Sequence, residues 1–180
     1  ASNLSSPVGV IAGGGAMPFA VADSLRERGI AAVILALKGA CDPAQVARFR
    51  HHWISVGQIG KATRLLRSEG CREVIFIGSL ARPALSDIRL DWGALRVMGH
   101  VVAAFRGGDD HLLSGIGRIF EQDGFRMVGV KEAAPDLLMP AGCITRAAPD
   151  AGAEADIARG REVLAALSPF DIGQAAVVID

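Results

Sequence analysis

Short apolar and β-branched runs alternate with helical segments over the first 130 residues of the chain. Because the run Ala31–Leu37 has no polar alternation, it is typical of a strand in a sheet that is covered on both faces. Strands and helices alternating at this spacing predict a parallel sheet with right-handed crossovers, a Rossmann-like α/β layer with helices on both faces. The five predicted strands are Val8–Ala12, Ala31–Leu37, Trp53–Val56, Val74–Ile77 and Met127–Val130.

The connections between these strands show helical periodicity. Val21 and Leu25 lie four residues apart, as on the apolar face of a helix, and Gly29 is typical of the position just after a helix end. Gly70 ends the next helical segment in the same way. The predicted helices are Pro18–Arg28, Ile59–Ser68 and Asp110–Gln122.

The chain changes character after Val130, because proline or glycine recurs at positions 135, 140, 142, 149 and 152. Beyond this stretch the pattern predicts a helix over Asp156–Leu167 and a strand over Gln174–Ile179. One helix and one strand cannot bury a core of their own, so we expect the beginning of a second α/β domain. The predicted division is a leader over 1–7, a Rossmann-like N-terminal domain over 8–132, a linker over 133–153, and the start of a truncated C-terminal domain over 154–180.

Composition narrows the function classes. Lys plus Arg number 19 and Asp plus Glu number 19, so no net positive field attracts nucleic acid or an anionic membrane. Aromatic residues make up 5% and Tyr is absent, which disfavours base stacking. The three cysteines are widely spaced and form no CxxC pair, which is typical of reduced thiols in a cytoplasmic protein and not of a zinc site. The longest apolar run, Ile30–Leu37, is too short to span a bilayer.

The first glycine-rich loop, Gly13–Gly15, follows the first predicted strand at the edge where open parallel sheets bind ligands. The helix behind it would offer free backbone N–H groups and a positive dipole end to an anion. However, Pro18 occupies the third glycine position of the dinucleotide fingerprint, and Lys38 rather than an acidic residue follows the second strand. NAD binding is therefore disfavoured, and a tight turn with no ligand is the alternative.

Two further loops carry a cation. The segment Gly57–Lys61 reads G-x-x-G-K, which is two residues shorter than a phosphate loop, so ATP hydrolysis of that kind is disfavoured. Its Lys61 can still present a charge to a phosphate or a sugar. The segment Gly78–Pro83 offers the hydroxyl of Ser79 and the planar guanidinium of Arg82 to an anion. For both cations, simple solvation at the surface is the alternative.

Adjacent carboxylates precede the third predicted helix. Asp109 and Asp110 could hold a hard cation, but an aspartate at this position also fits the N-cap of a helix, and capping is favoured. No pair of catalytic carboxylates and no Ser-His-Asp set is recognisable from spacing. From its residues alone, the chain is interpreted as a binding module for a phosphorylated small molecule that contains a nucleotide.

Six segments, taken in their order along the chain, resemble one protein family. They are Val10–Pro18, Gly57–Lys61, Gly78–Pro83, Gly107–Leu113, Ala155–Gly160 and Phe170–Val178. Each is weak alone, but the ordered set resembles the LpxI family of UDP-2,3-diacylglucosamine pyrophosphatases of lipid A biosynthesis. The resemblance covers nearly all of residues 8–180.

The resemblance implies a two-domain, Mg²⁺-dependent hydrolase that cleaves UDP-2,3-diacylglucosamine to UMP and lipid X (2,3-diacylglucosamine 1-phosphate). It also implies a cytoplasmic enzyme, in peripheral contact with the inner membrane if the lipid-linked substrate is taken up there. The catalytic residues are expected beyond Asp180, so this chain would supply the N-terminal half of the site and be inactive by itself. The implied substrate contacts are Gly13, Gly14, Gly15, Gln58, Lys61, Ser79, Arg82, Asp109, Asp110, Asp171 and Gln174.

Two other function classes stay open. One is a non-catalytic module that binds a nucleotide sugar, which a titration with UDP-sugars and NAD would distinguish from an oxidoreductase-type domain. The other is a Rossmann-like oligomerisation domain without a ligand, which the glycine-bearing loops at one sheet edge disfavour. Acidic residues encoded past codon 180 would support the hydrolase, and a stop codon there would favour the binder. The metal ligands and the oligomeric state are left open.

Overall fold

The computed structural model describes residues 4–79, 109–170, 173 and 175–179, with backbone only over 109–114. Its centre is a five-stranded parallel sheet in the order β3-β2-β1-β4-β5. This architecture confirms the predicted Rossmann-like α/β fold. The strands are β1 (Val8–Ala12), β2 (Ala32–Leu37), β3 (Arg50–Ile54), β4 (Glu73–Ile77) and β5 (Arg126–Met127).

Of the five strands, β1 has its predicted bounds, β2 and β4 each begin one residue away from the predicted start, and β3 and β5 differ by more. β3 begins at Arg50 and ends at Ile54, because the segment after it turns, with the amide of Gln58 bonded to the carbonyl of Ser55 at 3.2 Å. Its polar histidines fit this edge position, where one side of the strand faces solvent. β5 has only two residues, since the chain turns at Gly129 into a short helix rather than continuing the ladder.

The described helices match the periodicity at three places and add short segments that the pattern did not reveal. The four-residue α2 was not predicted. It is nucleated by Asp42, whose carboxylate accepts the amide of Ala44 at 2.9 Å, and by a proline at its first position. The helices are α1 (Met17–Glu27), α2 (Pro43–Val46), α3 (Ile59–Ser68), α4 (Asp109–Gln122), α5 (Val130–Ala133) and α6 (Ala151–Leu167), with 3₁₀ turns at Pro135–Leu137 and Ser168–Phe170.

Alternate residues of β1 bury against opposite sides of the sheet. Val8 and Val10 join the apolar cluster that α1 covers, while Ile11 joins the cluster on the other face, beneath α3 and α4. Both clusters contain side chains with no exposed surface, such as Leu25 of α1 and Leu66 of α3. The two-sided burial explains why the central strands lack a polar alternation.

The chain divides into two compact units, Ala1–Leu138 and Met139–Asp180. In the second unit, α6 begins five residues earlier than predicted, because Asp150 caps it by accepting the amide of Ala153 at 2.8 Å. The prediction of a strand over Gln174–Ile179 is wrong for the described residues 175–179, which form no strand. Val177 and Ile179 are 85% and 84% exposed there, and a strand requires a hydrogen-bonded neighbour.

Candidate functional site

The strand order creates a switch point between β1 and β4. From β1 the chain builds outward to β2 and β3 on one side, and then returns to place β4 and β5 on the other. In open α/β sheets the crevice outside the carboxyl ends of two such strands is the usual ligand site. Here that crevice is bordered by the loops that follow β1 and β4.

The two glycine loops cross directly at this switch point. The amide of Gly13 donates to the carbonyl of Ile77 at 2.9 Å, which extends the ladder between β1 and β4 by one bond. Gly14 and Ser79 then form an antiparallel bridge, with N–O distances of 2.6 and 2.9 Å. The structure therefore brings together two loops that the sequence identified separately.

The crossing is so close that it accepts only glycine. A Cβ atom on Gly13 would lie 2.5 Å from the carbonyl oxygen of Ser79. Gly78 has φ +105°, and a Cβ atom on it would lie 2.8 Å from the Gly13 carbonyl carbon and the Gly14 oxygen, and 2.9 Å from Cγ of Pro18. The proline at the third position of the dinucleotide fingerprint thus packs against a glycine of the other loop.

The hydrogen bonds at the crossing leave some backbone amides of the first loop available to a ligand and occupy others. The N–H groups of Gly13 and Gly14 are used by β4 and its loop. Among the described residues, the amides of Gly15, Ala16 and Met17 have no acceptor, and all three residues are exposed. They lead into α1, where no side chain caps the helix, so the free N–H groups and the helix dipole face the crevice edge together.

Gln58 and Lys61, two of the predicted substrate contacts, lie away from the crossing of the glycine loops. They follow β3, and β2 separates β3 from β1, so two strand spacings or roughly 10 Å intervene. The Gln58 side chain accepts the amide of Ser55 at 2.9 Å, and the Lys61 ammonium group donates to the carbonyl of Trp53 at 2.9 Å. Both side chains close the turn between β3 and α3, and the structure does not bring them to the crossing.

The remaining predicted residues fall partly outside the described chain. Asp109 and Asp110 are the first two residues of α4, which leads into β5, parallel to β4. A helix that enters a parallel strand in this way begins at the carboxyl edge of the sheet, so this helix start shares an edge with the glycine loops. The side chains of these two aspartates, and all of Arg82, Asp171 and Gln174, lie outside the described residues.

Glu69 and Glu73 lie at the opposite, amino edge of the sheet, just before and at the start of β4. Glu69 accepts hydrogen bonds from His52 and from Arg50, and these bonds lower the pKa of its carboxyl group. Burial raises the pKa of the nearby Cys71 thiol to about 11, with the charges of Glu69 and Glu73 adding to the effect. These groups stabilise the fold at a distance from the switch point.

Cys41 contacts the first glycine loop, which the sequence did not indicate. It follows β2, and its buried thiol contacts the carbonyl oxygens of Ala12 and Gly13 at 3.0 and 3.2 Å. The sequence indicated only a reduced thiol, because no spacing rule relates position 41 to the first loop. The contact arises from the parallel pairing of β1 with β2.

The fold and the site define the class: a Rossmann-like α/β domain with the exposed backbone N–H groups of a helix start at its switch point. The family described as the LpxI N-terminal domain matches residues 7–137, and the LpxI C-terminal domain matches residues 140–180. The chain therefore belongs to the LpxI family.

A curated relative of known name supports the same assignment. UDP-2,3-diacylglucosamine pyrophosphatase LpxI of Caulobacter vibrioides is 34% identical to this chain over 173 residues. The match covers 96% of this chain and 61% of the relative, so the chain spans about three fifths of that protein's length.

Solved structures with similar folds share little sequence with the chain. UDP-glucose 4-epimerase from Brucella ovis in complex with NAD is 15% identical, with a TM-score of 0.41, over 64% of this chain and 33% of that one. NAD⁺-bound xylitol dehydrogenase is 20% identical, with a TM-score of 0.35, over 92% of this chain and 66% of that one. The strand order, rather than these matches, defines the fold.

Proposed function

We propose that this chain supplies the N-terminal half of a hydrolase that cleaves the diphosphate of UDP-2,3-diacylglucosamine. The products would be UMP and lipid X, and the reaction would serve lipid A biosynthesis. The proposal combines membership of the LpxI family and the named activity of the Caulobacter relative with the site at the β1–β4 switch point. The observation that carries it is the group of three exposed amides at Gly15, Ala16 and Met17, which have no acceptor among the described residues.

These amides fit the diphosphate of a nucleotide sugar. Backbone N–H groups at a helix start bind phosphate oxygens, and the helix dipole adds a favourable partial charge. The hydroxyl of Ser79 lies at the same crossing, on an exposed residue, and can donate another hydrogen bond. In the proposed role the loop positions the diphosphate and withdraws charge from it, while the general base is supplied from outside the described residues.

Magnesium remains part of the proposal on the strength of the family resemblance. Among the described residues, no group of three or more His, Cys, Asp or Glu side chains could hold a metal ion. The described residues thus supply no ligand set for it, and the binding role proposed for this chain runs through its backbone amides.

A lipid-linked substrate would bring the enzyme to a membrane surface. No helix within the described ranges is long and apolar enough to cross a bilayer. From the family resemblance we propose a cytoplasmic enzyme in peripheral contact with the inner membrane. Residues 1–138 would carry the nucleotide end of the site.

The test compares this chain with a version extended to the length of the Caulobacter relative. UMP release from UDP-2,3-diacylglucosamine in the presence of Mg²⁺ is measured for both, and UDP binding is measured by calorimetry. We expect both to bind UDP and only the longer one to release UMP. UMP release by the 180-residue chain alone would contradict the half-site. Binding without hydrolysis by either version would favour a non-catalytic nucleotide-sugar module.

A further inference from the structure

The loop Gly13–Gly15 has neighbours on two sides. On one side it is hydrogen-bonded to β4 and the loop that follows β4. On the other side lies the segment between β2 and α2, where a Cβ atom on Gly14 would come within 3.1 Å of the Ala40 carbonyl oxygen. In the same segment the Cys41 thiol reaches the carbonyl oxygens of Ala12 and Gly13, at 3.0 and 3.2 Å. Cys41 is 8% exposed, so this contact is shielded from water.

The thiol contacts two peptide groups on the side opposite to β4. The amides of Gly13 and Gly14 face β4 and its loop, and the carbonyl groups of Ala12 and Gly13 face the sulfur on the other side. Contacts on both sides of these peptide groups restrict the backbone conformation of the loop where it continues to Gly15. The next amide, that of Gly15, is the first of the three without an acceptor among the described residues.

We propose that Cys41 is a positioning residue for the anion site: its thiol fixes the loop so that the amides of Gly15, Ala16 and Met17 face a phosphate group. The inference rests on the proposed function and adds a residue to it. Cys41 itself would not touch the ligand, since its sulfur lies beneath the loop and is bonded to the backbone. Without this thiol the two peptide groups would be bonded only on the side of β4, and the loop could shift so that the three amides no longer face a phosphate together.

Two properties of the environment suit this role. Burial raises the pKa of the Cys41 thiol, although a hydrogen bond with the Leu37 backbone acts in the opposite direction. The protonated thiol persists at neutral pH and can act as a weak donor to a carbonyl oxygen. Ser at the same position would retain a donor of similar length, and Ala would not.

The experiment measures the affinity of the 180-residue chain and its variants for UDP by calorimetry. We expect Cys41→Ala to weaken binding by roughly threefold to tenfold, as for loss of one hydrogen bond, and Cys41→Ser to stay within about twofold of the wild type. The matched control is Cys71→Ala, which removes a thiol with 5% exposure from the other apolar cluster. That control should lower stability and leave UDP affinity within about twofold.

A second readout separates this inference from the proposed function. In ligand-free samples, ¹⁵N–¹H spectra of Cys41→Ala should show displaced amide signals at Gly15, Ala16 and Met17, and Cys41→Ser should restore them. Wild-type affinity in Cys41→Ala, or unchanged signals there, would overturn the positioning role. A wild-type chain that fails to bind UDP while the signals still move would overturn the proposed function and leave the control of the loop by Cys41 intact.

Discussion

Gly13→Ala perturbs the crossing of the two glycine loops with a single methyl group. The new Cβ atom would lie 2.5 Å from the carbonyl oxygen of Ser79, whereas ordinary contacts begin at 3.4 Å. The Ser79 oxygen belongs to the backbone, so no flexible side chain can move aside. The loops must separate by about 1 Å to restore an ordinary contact distance.

That separation breaks the bridge between Gly14 and Ser79. Its two hydrogen bonds, at 2.6 and 2.9 Å, would lengthen beyond the range of a hydrogen bond. At about 0.5–1.5 kcal/mol net for each, their loss costs about 1–3 kcal/mol. The reduced entropy of the unfolded chain returns about 0.4–1 kcal/mol. The middle values of these ranges leave a net loss of roughly 1.3 kcal/mol in the free energy of unfolding, and we expect weaker UDP binding with it.

Gly117→Ala is the matched control for this substitution. Gly117 lies within α4, and among the described residues its Cβ atom would come within 4 Å only of Cγ of Met127, at 3.9 Å. Alanine is favoured over glycine inside a helix by about 1 kcal/mol, so this variant should be as stable as the wild type or more so. The same chemical change thus has opposite expected signs at the two positions.

Urea unfolding followed by tryptophan fluorescence measures both effects. The two tryptophans, Trp53 and Trp92, precede residue 138 in the sequence, so the signal reports the first unit. Linear extrapolation gives the free energy of unfolding of each variant. If Gly13→Ala were as stable as the wild type, the loops would not cross as described, and the assignment of the free amides would fail with them.

Three further predictions concern acid stability, thiol reactivity and kinetics. Hydrogen bonds from His52 and Arg50 lower the pKa of Glu69 below its ordinary 4.5, so the stability that the ionised carboxylate contributes is present above pH 4.5 and is lost as the pH falls through the lower folded pKa. Glu69→Gln should therefore flatten the loss of stability between about pH 5 and 3, measured by urea unfolding. An unchanged slope would contradict this. Cys143 is exposed with a lowered pKa, so a thiol reagent at pH 8 should modify one cysteine rapidly and the two buried ones only on unfolding; a fast phase that survives in Cys143→Ser would refute the assignment. In the extended protein, Arg82→Ala should raise KM or lower kcat for UDP-2,3-diacylglucosamine, and unchanged kinetics would make Arg82 a solvated surface residue.

Local signals in the sequence were sufficient for most of the first unit. β1 and α3 have their predicted bounds, because buried β-branched residues and the amphipathic spacing around Leu66 are read directly from the chain. The short α2 was missed, because it depends on a cap at Asp42 rather than on periodicity. The fifth strand was predicted to run on to Val130, but β5 ends at Met127, because the chain turns at Gly129.

The site required information that no local pattern contains. The glycine loops were identified, but which of them meet depends on the strand order, which places β4 and not β3 beside β1. For this reason Ser79 joins Gly13 and Gly14, while Lys61 lies at the far edge with the carbonyl of Trp53. The use of the Gly13 and Gly14 amides by β4 and its loop is likewise a tertiary fact, and it moves the available amides to Gly15, Ala16 and Met17.

The most direct test of the central claim is a titration of the ¹⁵N-labelled chain with UDP, followed by ¹⁵N–¹H correlation spectra. We expect the largest shifts at the amides of Gly15, Ala16 and Met17, with smaller shifts at Ser79. Phosphate bound at a helix start acts on these N–H groups directly. Shifts concentrated instead around Lys61, or no shifts at saturating UDP, would contradict a nucleotide site at the β1–β4 switch point.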